Sequence, residues 1–442
     1  MTRRQSRRSF IIKSGTGAVG LSMAMSAKSY SSILGANDRM NFGGIGLHGR
    51  GKALVKAISV QENTALSAIC DVDKREFDVT GKMVQEAFSK KAKTYTDVRK
   101  LLEDKAIDAI FIAAPDHWHA PMALMGVQAD KHVYVEKPCS HNPREGELLI
   151  EAQKKYGKVI QMGNQQRSAP ASMQAMKDIK EGLIGEVYYG KAWYANNRKS
   201  IGVGKETTPP DWLDWDLWQG PAPREAYKDN YVHYNWHWFW QYGTGEVNNN
   251  GLHEIDVCRW ALGVDYPIKV SSSGGRYHFN DDWQFYDTQI VNYEYRDGKM
   301  ISWEGRSCNG FLHYDRGRGA TLHGTKGTIL LDRNTYIARD LEGNILKDVK
   351  EAEQSDTINT VGAGYLDTLH MKNFIAAVKD GTTQNSPIDQ GAISNNLCHL
   401  GNYAQAVGRT LNIDPSNGRI KNDADAMKYW SREYEQGWEM KV

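Results

Sequence analysis

Between Met40 and Gly163, short apolar runs alternate with stretches of helical periodicity, and the first junction reads Gly44-Ile45-Gly46-Leu47-His48-Gly49. Such alternation specifies a parallel sheet with helices on both faces, because each crossover returns the chain in the same direction. Strands are expected at residues 40–44, 65–70, 109–114, 132–135 and 158–162, and helices at 52–60, 76–89, 121–129 and 143–156. In the glycine motif the first glycine permits a tight turn, the second lets the backbone approach a pyrophosphate, and the third lets the helix rest on the strand. Helix N-terminal amides then face the phosphate. Gly44, Gly46, Leu47, His48 and Gly49 therefore read as a dinucleotide cradle. Asp71 closes the second strand, where a carboxylate can bind both ribose hydroxyls. That charge repels a 2′-phosphate and favours NAD. Lys74 and Arg75 beside it leave NADP open, and Arg75 can stack on adenine or hold a phosphate.

A chain of 442 residues exceeds one ordinary core. After residue 185 the pattern changes. Residues 186–194, 268–277, 287–295, 300–306, 318–323 and 327–331 read as strands, 252–262, 365–379 and 390–410 as helices, and the last thirty or so residues as a surface tail. The expectation is an α/β Rossmann domain at 38–165 and an α+β domain at 166–442, the latter with a large, mostly antiparallel open sheet whose helices and tail return to the first domain. One face of that sheet is free for a partner, which suggests a homo-oligomer. The net charge of +2 gives no reason to expect a nucleic-acid partner.

Residues 1–37 read as a targeting segment. Arg7-Arg8 lies within Ser6-Arg7-Arg8-Ser9-Phe10-Ile11-Ile12-Lys13, and a weakly apolar run follows. This is the pattern of a twin-arginine signal, whose export machinery carries folded proteins, so a bacterial periplasmic or otherwise exported location is expected. The five cysteines are widely spaced without a C-x-x-C pair, so neither a disulfide framework nor a zinc site is indicated. His233, His237 and His253 lack tight ligand spacing, and no metal is expected.

Several polar residues fall at strand ends. Lys137 follows a parallel strand in Val135-Glu136-Lys137-Pro138, where ligands of open α/β sheets bind. It can hydrogen-bond a reacting hydroxyl, with Glu136 on the nicotinamide side. Gln165 and Arg167 follow the next strand and are candidates for the nicotinamide and substrate, or simply polar loop residues. Pro115 and His119, in Ala114-Pro115-Asp116-His117-Trp118-His119, are candidates for shaping the cofactor pocket; His117 and His119 read equally well as helix-start packing residues. His253 begins a helix with Asp256 on its face, which reads equally as an acid–base site or a structural pair. Trp236, Trp238 and Trp240 alternate, suggesting one lined face, more often core or interface than sugar platform. Tyr194, His237 and Asn249 complete the substrate-side candidates.

These motifs, with Gly251-Leu252-His253-Glu254-Ile255-Asp256, occur in the order seen in the Gfo/Idh/MocA oxidoreductases, and residues 40–442 resemble that family throughout. Leu213-Asp214-Trp215-Asp216-Leu217-Trp218-Gln219-Gly220-Pro221-Ala222-Pro223 resembles a secreted bacterial branch. The resemblance implies a Rossmann domain, an open sheet that often makes oligomer contacts, and catalytic roles for Lys137 and His253. Many members carry an aspartate four residues before that histidine, where this chain has Asn249. An amide cannot take a proton but can hold a sugar hydroxyl. The implied activity is nicotinamide-dependent oxidation of a sugar, glycoside or polyol hydroxyl, with bound NAD(H) recycled. Two alternatives stand beside it: glycoside cleavage through a transient 3-keto sugar, and a non-catalytic sugar-binding or scaffold protein.

Overall fold

The computed structural model describes residues 39–350 and 364–442; the twin-arginine segment lies outside them. The chain opens with β1 (Met40–Ile45), α1 (Gly49–Ser59), β2 (Thr64–Cys70), α2 (Glu76–Phe88), β3 (Lys93–Tyr95), α3 (Val98–Leu102) and β4 (Ala109–Ile112). It continues through α4 (Asp116–Gln128), β5 (His132–Glu136), α5 (Pro143–Tyr156) and β6 (Ile160–Gly163). These six strands pair in the order β3-β2-β1-β4-β5-β6, every pair parallel. The order reverses between β1 and β4, so a crevice opens at their carboxyl ends, where open α/β sheets bind ligands. β4 is buried at every residue, as a strand covered on both faces must be.

α4 begins at Asp116 although Pro121 lies inside it. Proline has no N–H for the carbonyl four residues back, here that of His117. Arg432 Nη2 donates to that His117 carbonyl at 2.6 Å instead. The tail thus repairs the helix that carries Pro121. Trp438 stands edge-on to Trp118 at 5.0 Å, and Arg432 also pairs with buried Glu145 at 2.8 Å.

Beyond α6 (Pro170–Lys180) come β7 (Val187–Ala195), the short α7 (Trp215–Gln219) and α8 (Leu252–Leu262). The sheet strands then follow: β8 (Lys269–Gly275), β9 (Thr288–Glu294), β10 (Met300–Arg306), β11 (Arg318–Gly324), β12 (Gly327–Leu331), β13 (Thr335–Asp340) and β14 (Ile345–Lys350). α9 (Tyr365–Asp380), α10 (Ile388–Val407), β15 (Leu411–Asn412) and α11 (Ala424–Met427) complete the chain. The nine strands β7 to β15 form one sheet in the order β14-β13-β12-β11-β7-β10-β9-β8-β15. Only β7 with β10 is parallel among its pairs. α8 packs on β7, β10 and β11, and α10 on β8 and β9. β9 shows the one-sided burial this imposes: Gln289, Val291 and Tyr293 point inward while Ile290 is exposed.

Two large apolar cores flank the parallel sheet, beside two smaller aromatic-rich clusters around Trp215 and Trp283. One runs from α4 and α5 through α8 and α10 into the large sheet. The other fills the opposite face of the parallel sheet and is closed by Met371, Phe374 and Ile375 of α9. The cysteines are all buried and unpaired.

Candidate active site

A cleft of about 850 Å³ opens at the carboxyl ends of β1, β4 and β5. Residues between 217 and 253 wall it, and residues 364–367 close one side.

Its first end is built by backbone. Gly46 has φ +78°, and a side chain there would strike the Ala113 backbone at 2.6 Å. Close packing of α1 on this turn falls to Gly51, where a Cβ would lie 1.9 Å from the Gly46 carbonyl; Gly49 is simply the first helical residue. His48 precedes α1 in extended conformation, and no side chain among the described residues caps the helix. Its first amides therefore stay available to an anion, as a bound pyrophosphate requires. Asp71 accepts from the amides of Leu47 at 2.6 Å and Asp73 at 2.8 Å. Burial lifts its carboxyl to about 6. The glycine cradle, the uncapped helix and this carboxylate fit an adenosine dinucleotide.

Arg75 is not part of that surface. It makes a bidentate pair with Asp73, with Nη2 at 2.6 Å, and lies 3.4 Å over the Trp212 ring. That pairing engages the guanidinium expected to meet adenine or a phosphate. Pro115 and His119 do line the cleft. The two His119 ring nitrogens face the carbonyls of Pro138 at 2.6 Å and Ala114 at 2.7 Å. His117 is buried behind the cleft against the Trp218 carbonyl.

The second end gathers the charged groups. Arg50 of α1 joins Glu136 at 2.8 Å and Asp367 at 2.5 Å, tying β5 to α9. Gln165 donates to the same Glu136 oxygen at 3.0 Å. Lys137 Nζ donates to the Asn249 carbonyl at 2.7 Å and to its Oδ1 at 3.1 Å. Two of its three tetrahedral positions are thereby fixed. Burial, opposed by Glu136 and Asp116, lowers the Lys137 ammonium to about 8. Asn249 sits in a π-helical turn, Val247–Gly251, that leads into α8. Its buried Nδ2 has no partner among the described residues.

His253 Nδ1 lies 2.9 Å from Asn164 Oδ1, and Asn164 Nδ2 lies 2.7 Å from Asp256 Oδ2. The carboxylate fixes the amide orientation. The amide oxygen then accepts from Nδ1–H, which leaves Nε2 as the free acceptor. Asp256 thus orients His253 through Asn164 rather than directly. Burial, reinforced by the positive charges of Arg333, Arg318 and Lys137, holds His253 neutral well below its usual range.

Arg167 and Tyr194, expected to meet substrate, lie off the cleft. Arg167 is engaged by Asp256 at 2.6 Å and lies over Trp260. The Tyr194 hydroxyl takes hydrogen bonds from Asn196 at 2.6 Å and Arg198 at 3.3 Å. The three alternate tryptophans do not share a face, because Asn235–Trp238 is a 3₁₀ turn. Trp236 lines the cleft and stacks on His237 at 3.6 Å, whereas Trp238 stacks on Trp283 and Trp240 packs tilted against Phe285. His237 donates Nδ1–H to the Tyr234 carbonyl at 2.6 Å.

Arg50, Asn164, Arg333 and Asp367 were not singled out from the sequence. Asn164 directly precedes Gln165 at the same strand end, and Arg50 follows the glycine turn. Nothing local marked Arg333 or Asp367.

Comparison with known proteins agrees with this arrangement. Residues 40–164 match the model of the GFO_IDH_MocA oxidoreductase family, NAD-binding Rossmann fold, and residues 188–440 match that of its C-terminal α/β domain. A Glycosyl hydrolase family 109 protein of Saccharopolyspora erythraea is 26% identical over 253 residues, 51% of this chain and 55% of that protein. An Alpha-N-acetylgalactosaminidase of Shewanella oneidensis is 29% identical over 156 residues, 34% of each chain. The chain thus spans about half the length, or less, of these relatives. Among solved structures, a levoglucosan dehydrogenase in complex with NADH and levoglucosan superposes with TM-score 0.66 at 18% identity, covering 85% of this chain and 99% of that one. An oxidoreductase from Agrobacterium radiobacter, in complex with NAD+, L-tartaric acid and magnesium, gives 0.64 at 14%, covering 85% and 98%. Fold, cofactor cradle and both family models agree: the chain belongs to the Gfo/Idh/MocA oxidoreductase family, with an NAD-binding Rossmann fold and the family's C-terminal α/β domain.

Proposed function

We propose that the protein oxidises one hydroxyl-bearing carbon of a sugar, glycoside or polyol, using NAD(H) that stays bound and is recycled. The observation that carries this is the pairing of Lys137 Nζ, pinned by Asn249, with a His253 Nε2 freed by Asn164, in one cleft with the dinucleotide cradle. The third Lys137 N–H donates to the reacting oxygen and stabilises the charge that grows there. His253 Nε2 takes the hydroxyl proton as the carbon's hydrogen departs with its electron pair. The nicotinamide, when bound, supplies the acceptor for that hydride. Asn249 Nδ2 holds a neighbouring hydroxyl.

A pH signature follows. Lys137 must be charged and His253 neutral, so oxidation falls as pH rises through about 8. Asn249→Asp places a carboxylate on Nζ, and an opposite charge raises a lysine by roughly 1–3 units. The alkaline limb of kcat/KM should move up by about one unit or more. An unmoved limb would assign it to another group.

Asp71→Ala should weaken NAD binding by about 1–3 kcal/mol in calorimetric titration, the range of a lost charge-assisted hydrogen bond. Tighter binding of NADP than NAD by the unmodified protein would reverse the assignment of Asp71.

The second reading is glycoside cleavage. Oxidation at C3 acidifies the C2 proton; a base takes it as the aglycone leaves C1 with a proton, water adds across the resulting C1=C2 bond, and the hydride held on the nicotinamide returns to the ketone. The names of the glycosyl hydrolase family 109 relatives favour it. Product analysis separates the two: a free aglycone marks cleavage, an intact ketosugar marks net oxidation.

Arg7-Arg8 supports export of the folded, cofactor-loaded protein to the periplasm by the twin-arginine machinery. Exposed Tyr188, Ile290, Ile345 and Leu346 of the large sheet support assembly into a homo-oligomer through that sheet. Protein purified from the periplasm, denatured and filtered, should release a nicotinamide nucleotide. Protein that is empty and binds none on titration would remove the recycled-cofactor reading.

A further inference from the structure

Arg333, in the turn between β12 and β13, is 9% exposed and lines the cleft. No hydrogen bond or ion pair engages its guanidinium among the described residues, and its Nε is buried without a partner. The carboxylates that act on it are already taken. Glu254 is held by Arg318 at 2.7 and 3.1 Å, and Asp367 by Arg50 at 2.5 and 3.1 Å. Burial and the like charge of Arg318 drop Arg333 to about 9. A buried cation without a counter-charge is costly, and proteins keep one where a ligand supplies the anion.

We infer that the substrate is an acidic sugar, a uronate or sugar acid whose carboxylate pairs with Arg333 while a ring hydroxyl lies between Lys137 and His253. A planar guanidinium that no described residue engages matches a carboxylate in a bidentate way. One unpaired guanidinium balances a single negative charge, which a carboxylate carries and a phosphate monoester exceeds. The pairing also serves the proton step. Arg333 is the charge that most depresses His253 after burial itself. Neutralising it on substrate binding raises the His253 pKa and makes Nε2 a better base only when the acidic substrate is seated.

This inference rests on the proposed oxidation and deepens it. The test is calorimetric titration of NAD-loaded full-length protein with matched pairs: methyl glucuronide against methyl glucoside, and methyl galacturonide against methyl galactoside. In at least one pair the acid should bind roughly tenfold tighter or more. Arg333→Met should abolish that preference, Arg333→Lys should retain part of it, and both should bind NAD within twofold of the unmodified protein. Equal or tighter binding of the neutral sugars overturns the inference. So does a preference that survives Arg333→Met, or tighter binding of glucose 6-sulfate than of the uronides. A tenfold loss of NAD affinity in both variants would assign Arg333 to the nucleotide phosphates instead, and so also overturns it. Failure of the unmodified protein to bind NAD at all would defeat the oxidation reading itself, an outcome distinct from these.

Discussion

His253→Ala should retain NAD but lose about a hundred- to ten-thousand-fold in turnover, the range of a general acid–base group. The reason is structural as much as chemical. Asp256 fixes Asn164, Asn164 takes Nδ1–H, and Nε2 is left as the acceptor. Asn164→Ala removes the tautomer restraint without removing the ring. It should cost less in kcat than His253→Ala, and Asn164→Asp should shift the acid limb of the profile upward by stabilising the imidazolium. Single-turnover kinetics on NAD-loaded protein separate these effects from binding. Turnover of His253→Ala within a few-fold of the unmodified enzyme would make His253 a structural residue.

Lys137→Met should cause a loss of the same order. The side chain has similar length, so the cleft stays filled while the charge on the developing alkoxide disappears. The Asn249 carbonyl and Oδ1 lose their donor at the same time, which makes thermal stability a necessary control. The double variant Lys137→Met/His253→Ala should lose far less than the product of the single losses, because groups acting on one oxygen are not additive. Fully multiplicative losses would show that the two act at separate steps.

Much of the fold was legible because it is written in local pattern. The parallel strands are short, apolar and separated by helical periodicity, and the glycine turn marks the switch point. β3 escaped because it is three largely exposed residues at a sheet edge, Lys93–Tyr95. β14 escaped because an edge strand such as Ile345–Lys350 mixes charged residues with no buried ones, and β13 because its six residues bury only Tyr336 and Ala338. The sequence pattern starts α4 five residues late, at Pro121 rather than Asp116, because Pro121 reads as a first-turn residue. Its tolerance inside the helix depends on Arg432, which no local pattern announces.

At the site, sequence picked out residues at strand ends and helix starts, and the structure places Lys137, Glu136, Gln165, Asn249, His253 and His237 on one cleft. It could not say which polar neighbours turn away. Arg75, Arg167 and Tyr194 do not line the cleft, and each is engaged elsewhere, by Asp73, Asp256 and Asn196 respectively. Nor could it find Arg333 and Asp367, which reach the cleft only because β12–β13 and α9 fold back onto the parallel sheet.

The central claim is direct hydride transfer from a sugar carbon to the bound nicotinamide. The measurement is the mass of nucleotide recovered from NAD-loaded protein, quenched within one turnover after mixing with neutral and acidic glycosides deuterated at each ring carbon. The expected result is one deuterium in the recovered nucleotide from a single ring position of the converted sugar, and none from Lys137→Met or His253→Ala on the same timescale. Converted sugar beside deuterium-free nucleotide would contradict it.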